Sequence, residues 1–193
     1  MPQPCLHMTA LEVTHSLTAA EIDDLASQIL PSAQEITDYT HDHRARLVKP
    51  LVSYDAQALA LSYLPAAGEV GRSLDEDNYT YHHLRRDLHH EVSETGVKVA
   101  SRYVIPSAHL TVGRFITKSD LEDQDGKVDH VKMQELVQTI ESINEWLEAE
   151  YWPSQDSIRA GGVWVVGQER GLDHRRGALW YGGGETIKIG KGF

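Results

Sequence analysis

Two short runs in this chain repeat one pattern: Leu6-His7-Met8-Thr9-Ala10-Leu11-Glu12-Val13 near the start, and Ser107-Ala108-His109-Leu110-Thr111-Val112-Gly113-Arg114-Phe115 beyond the middle. Each sets a histidine and a threonine two residues apart within apolar surroundings. Successive side chains of a strand point to opposite faces. A strand reading of each run therefore puts His7 with Thr9, and His109 with Thr111, on one face, and turns Met8, Ala10, Leu110 and Val112 toward a core. A strand showing an imidazole and a hydroxyl to one side is a suitable wall for an active site. Two such walls facing each other can grip one phosphate.

The recurrence exceeds what composition supplies. With eleven histidines, one or two His-x-Ser/Thr triplets are expected from counting alone, but requiring apolar residues at the second and fourth positions cuts the expectation to roughly 0.2. Two are present.

On these residues, "LHMTALEVTHS" and "SAHLTVGRF", the chain resembles the two-histidine phosphoesterase superfamily, and within it the fungal RNA ligase/cyclic nucleotide phosphodiesterase-like branch. The resemblance implies an α+β, bilobal fold: two pseudo-symmetric antiparallel sheets with outer helices around a central cleft. It implies a single domain over residues 1–193, with lobes of about 1–56 and 57–193. It also implies that the first lobe lacks the strand and helix that normally precede its motif, so a homodimer through that uncovered lobe, or poor solubility, is expected.

The implied chemistry is metal-independent hydrolysis of a 2',3'-cyclic phosphate, or a related cyclic phosphodiester, on a nucleotide or RNA end. In-line attack needs a base on the water and an acid on the leaving oxygen, and imidazoles titrate near neutrality. The resemblance gives these roles to His7 and His109, in an order left open. Thr9 and Thr111 would donate hydroxyl hydrogen bonds to the non-bridging oxygens. No cofactor and no metal is expected. The alternatives are a non-catalytic nucleotide- or RNA-binding protein with an incomplete first lobe, and an RNA end ligase running the reaction in reverse.

Composition bounds these readings. The 193 residues suffice for one domain with a real core. A net charge of −11 and a pI near 5.4 oppose a protein that coats long nucleic acid, since such binding rests on phosphate neutralisation. A small nucleotide or RNA end stays compatible. The one cysteine, Cys5, rules out an internal disulfide framework, and no apolar run has the length of a membrane span. A soluble, intracellular, cytoplasmic protein is expected.

Along the chain, Thr18-Ala19-Ala20-Glu21 reads as a capping box opening a helix, and Ser32 to about residue 45 as a second helix after Pro31. Strands are expected at 47–54 and 58–64, a loop from Pro65 to Asp77, and a helix at 78–94. An acidic loop at 119–129 precedes a helix at 127–151 whose stripe is Leu136, Ile140, Ile143 and Leu147. Short strands are expected at 162–166, 178–181 and 186–189.

Other constellations fail on spacing. His82, His83, His89 and His90 contain no i, i+4 pair, so a solvated helix face is expected. His41 and His43 face apart if helical. Aligning Gly126 with the glycine of a calcium loop puts Leu121 and Lys132 at ligand positions. The Gly182 to Lys191 run lacks the spacing and the hydroxyl of a phosphate loop. Cys5 and His7 are nearly 7 Å apart along a strand, too far for a nucleophilic pair. Arg85, Arg86, Arg175 and Arg176 read as solvated, and Trp164, Trp180 and Tyr181 as core. Arg114 joins the face of His109 and Thr111 only if no bulge intervenes at Gly113.

Overall fold

The structure, a computed structural model, describes residues 1–68, 77–100, 108–154, 159, 161–177 and 184–193. Its centre is a four-stranded antiparallel sheet in the order β3-β2-β1-β4, built from β1 (Arg46–Tyr54), β2 (Ala58–Pro65), β3 (Ala108–Arg114) and β4 (Val163–Val165). A two-stranded antiparallel sheet of β5 (Asp173–Arg176) and β6 (Glu185–Ile189) stands apart from it. The protein is thus a mixed α+β fold.

Four helices accompany the sheets among the described residues: α1 (Ala19–Ile29), α2 (Ala33–Asp38), α3 (Tyr81–Glu94) and α4 (His130–Tyr151). The expected capping box opens α1, with the Glu21 amide donating to Thr18 Oγ1 and the Thr18 amide to the Glu21 carboxylate. The second helix ends at Asp38, earlier than its pattern suggests, and passes into a 3₁₀ turn, Tyr39–His41. Its interior threonine explains part of this: Thr37 Oγ1 bonds back to the Ala33 and Gln34 carbonyls, a habit that weakens helices.

The main core lies on one face of the large sheet. Leu47, Tyr63, Ala108 and Trp164 pack there with Ile29, Ala33 and Ile36 of the first two helices and with Tyr81, Leu84, Leu88 and Val92 of α3. The α3 residues recur at helical spacing and are essentially buried. Each contributes about 1.5–3 kcal/mol over leaving it exposed, and Leu84→Ala would forfeit roughly 2–5 kcal/mol. Trp164, edge-on to Tyr63, belongs to this core as expected; Trp180, Tyr181 and the strand expected at 178–181 lie outside the described residues.

Helix α4 lies against β1. Since β4 pairs with β1 only at residues 46–48, the rest of that edge needs another cover. Asn144 supplies it: the Val52 amide donates to Asn144 Oδ1 at 2.6 Å, and Asn144 Nδ2 donates to the Val52 carbonyl at 3.0 Å. Trp152 Nε1 adds a bond to the Pro50 carbonyl. The inward stripe of α4 runs through buried Ile140, half-buried Asn144 and buried Leu147, and Ile143 is exposed, against expectation.

The last residues clasp α2. Leu172 donates to the Thr37 carbonyl, Gly190 to the Leu172 carbonyl, and the Lys191 amide to Asp38 Oδ1. A β-carbon at Gly190 would collide with the Thr37 carbonyl, so this approach requires glycine.

The turn of the β1–β2 hairpin, whose strands pair along one sheet, lies at residues 55–57. One expectation about the first motif does not survive. The run at 6–13 is not a strand; only Met8 makes a bridge, to Leu110. Two of its carbonyls are taken by α3: Tyr81 Oη donates to Thr9 at 3.5 Å, and Arg85 Nε to Ala10 at 3.1 Å.

Candidate functional site

Strand β3 carries the second motif, and its pairing with β2 fixes which way each side chain points. His109 stands opposite Ser62, Leu110 opposite Leu61, and Thr111 opposite Ala60. Ala108 is wholly buried in the core and shares its face with Leu110. His109 and Thr111 therefore share the other face, and both are half-buried. Ser107 lies outside the described residues.

The first motif joins the same sheet edge. The Met8–Leu110 bridge is antiparallel, so one residue to each side the order reverses: His7 comes across from Thr111, and Thr9 across from His109. Facing pairs in such an arrangement have β-carbons roughly 4.5–5.5 Å apart, and diagonal pairs roughly 7–8 Å. Carried one residue to each side, that register sets the two histidines on one diagonal and the two threonines on the other. The two motif segments thus meet along one sheet edge.

His7 is exposed, and its Nδ1 lies 2.9 Å from the Cys5 carbonyl oxygen. A carbonyl only accepts, so Nδ1 carries the hydrogen and Nε2 holds the lone pair. The contact with Cys5 goes through its backbone, and the thiol is no part of it.

Arg114 is the residue that strict alternation misplaces. Counted without interruption, positions 109 and 111 share a face that 114 leaves. The register shifts by one between Thr111 and Gly113, so that Thr111 pairs with Ala60 and Arg114 with Ala58. Ala58 and Ala60 are on one face of β2, and the bulge at Val112 therefore returns Arg114 to the side of His109 and Thr111, the opposite of the expectation that a bulge would remove it. Asp55 feels that guanidinium: its carboxyl is held below the usual range, chiefly by the Gln57 and Ala58 amides, with Arg114 a lesser contributor. The sequence signal was Gly113, a residue that weakens strands and marks bulges.

A polar stripe continues across the sheet. Ser62, opposite His109, lies 2.6 Å from Ser53 through their hydroxyl oxygens, and Ser53 pairs with Ala60. The face thus reads His7, Thr111, Ala60, Ser53 along one row and Thr9, His109, Ser62 along the next.

The remaining candidates fall out of the site. Arg85, expected to be solvated, is 9% exposed and anchors the first motif. Arg86 pairs with Asp87, and Arg176 with Asp23 and Glu185. His82, His89 and His90 are exposed on α3, and His83 turns back to accept from the Thr80 amide. Among the described residues, no group of three His, Cys, Asp or Glu side chains is placed to hold a metal ion, and no helix is long and apolar enough to cross a membrane. Comparison with known proteins found no matching family model, no matching curated protein and no matching solved structure.

Proposed function

We propose that the protein is a metal-independent phosphodiesterase of the two-histidine kind, which opens the cyclic phosphate of a nucleotide or RNA end. The observation that supports this is the Met8–Leu110 bridge, since it brings the two motif segments, drawn from distant parts of the chain, to one sheet edge. The proposal carries with it the bilobal two-histidine fold as the finer reading of the mixed α+β architecture.

In the reaction, the oxygen of a water bonds to phosphorus as the bond from phosphorus to a ribose oxygen breaks. One imidazole takes the water's proton and the other gives a proton to the departing ribose oxygen. Thr9 and Thr111 donate to the non-bridging oxygens, and Arg114, turned to the same face, adds a fixed positive charge for the dianionic transition state. The net charge of −11 restricts the substrate to a small nucleotide or an RNA terminus rather than a long polyanion.

A panel of 2',3'-cyclic nucleotides incubated with EDTA tests this. Turnover to a single phosphomonoester regioisomer is expected. Binding without turnover would favour the nucleotide-binding alternative, and neither binding nor turnover would sink the assignment.

A further inference from the structure

We propose that Ser62, oriented by Ser53, is a substrate-binding hydroxyl that takes the sugar side of the bound cyclic phosphate; this rests on the phosphodiesterase reading above. Ser62 stands directly across from His109 on the neighbouring strand, on the side away from Thr9. A phosphate held by the two histidines and two threonines has its ester substituent leaving in one of two directions along the sheet, off its edge or over β2. Over β2 the floor is Ala60, opposite Thr111, and a methyl group leaves room above it that a larger side chain would fill.

The hydroxyl pair is built to present an acceptor oxygen to that space. The Ser53 and Ser62 oxygens are 2.6 Å apart, a short bond, whereas the Ser53 contact with the Ala60 carbonyl is 3.5 Å, at the limit of hydrogen bonding. The Ala60 carbonyl only accepts, so both contacts are made when Ser53 donates to it and Ser62 donates to Ser53. Ser62 then keeps its lone pairs for a further donor. A ribose hydroxyl of the bound nucleotide is such a donor. Two serines facing each other inside a sheet have little packing value in β structure, where branched and aromatic residues are favoured.

The test compares Ser62→Ala, Ser62→Thr and Ser53→Ala with the unsubstituted protein on two substrates, a 2',3'-cyclic nucleotide and bis(4-nitrophenyl) phosphate, which has no sugar. For Ser62→Ala the nucleotide KM is expected to rise about tenfold, the loss of one neutral hydrogen bond, with kcat changed much less and the aryl ester unaffected. Ser62→Thr keeps the hydroxyl and restores the nucleotide KM, and Ser53→Ala gives a smaller rise because Ser62 remains but is less fixed. An unchanged nucleotide KM in Ser62→Ala, or an equal loss on both substrates, overturns the sugar-side role while leaving the phosphodiesterase reading in place. Absence of turnover on both substrates by the unsubstituted protein overturns the reading itself.

Discussion

Arg85 donates through Nε to the carbonyl of Ala10 at 3.1 Å, from a position on α3 that is only 9% exposed. A buried guanidinium spent on a backbone carbonyl does for the first motif what a neighbouring strand would otherwise do. Tyr81 one turn earlier helps at Thr9. The register of His7 and Thr9 against β3 thus depends on helix α3 as much as on the sheet.

Arg85→Met keeps the aliphatic bulk and removes the donor. Amide hydrogen exchange over residues 6–12 is expected to accelerate, cyclic nucleotide turnover to fall, and the protein to lose about 1–3 kcal/mol. Unchanged exchange in that segment would show that the Met8–Leu110 bridge holds the motif unaided.

His7→Ala and His109→Ala are each expected to lower kcat by roughly a hundredfold or more, as the acid or the base is lost. Thr9→Val and Thr111→Val should cost less, since each removes one neutral donor. Cys5→Ala should be silent, because His7 meets the Cys5 carbonyl and not its sulfur. Steady-state kinetics on a cyclic nucleotide measures all five, and full activity in His109→Ala refutes the mechanism.

Asn144→Asp separates the two bonds that cover the edge of β1. The carboxylate still accepts from the Val52 amide but cannot donate to the Val52 carbonyl, and sets an unpaired charge beside it. A loss of about 1–3 kcal/mol is expected in denaturant melts. Asn144→Leu, which abandons both backbone groups and leaves a strand edge open, should also promote self-association, visible in size-exclusion chromatography.

His174 on β5 provides a pH test. Burial pushes its pKa below the ordinary imidazole value, against a smaller upward pull from Asp173, and its Nδ1 is buried with no hydrogen-bond partner among the described residues. The unfolded chain therefore binds the proton first as pH falls. Stability is retained above about pH 6.5 and declines below it until the folded-state value is passed. His174→Phe should flatten this segment of the curve in thermal melts across that range, and an unchanged slope would assign it to other groups.

Local chemistry made some elements legible. The Thr18–Glu21 capping box marks α1, and the periodicity of Tyr81, Leu84, Leu88 and Val92 marks α3. The four motif residues were visible as a pattern, and their shared face in β3 followed from strand geometry. What was not legible is non-local. The first motif reads as a strand by alternation, but whether it pairs on two sides depends on Tyr81 and Arg85, about seventy residues away by the sheet-and-helix path of this fold. Arg114 differs in parity from His109 and Thr111, so it reaches their face through the bulge at Val112, which the partner strand decides as well as Gly113, and not through the absence of one. Asn144 was passed over because a polar residue on an apolar stripe is informative only once the bare edge of β1 is known.

The clasp of Leu172, Gly190 and Lys191 on α2 joins segments as much as 153 residues apart. Closing so long a loop adds little to the equilibrium cost, which grows only with the logarithm of length. Its effect falls on kinetics, since contacts between distant segments slow folding. The helices and the β1–β2 hairpin can assemble from local pairings, but the Thr37 carbonyl must wait for the Leu172 amide to arrive. During synthesis α2 therefore emerges well before Leu172, and its polar backbone is water's to satisfy until that residue arrives.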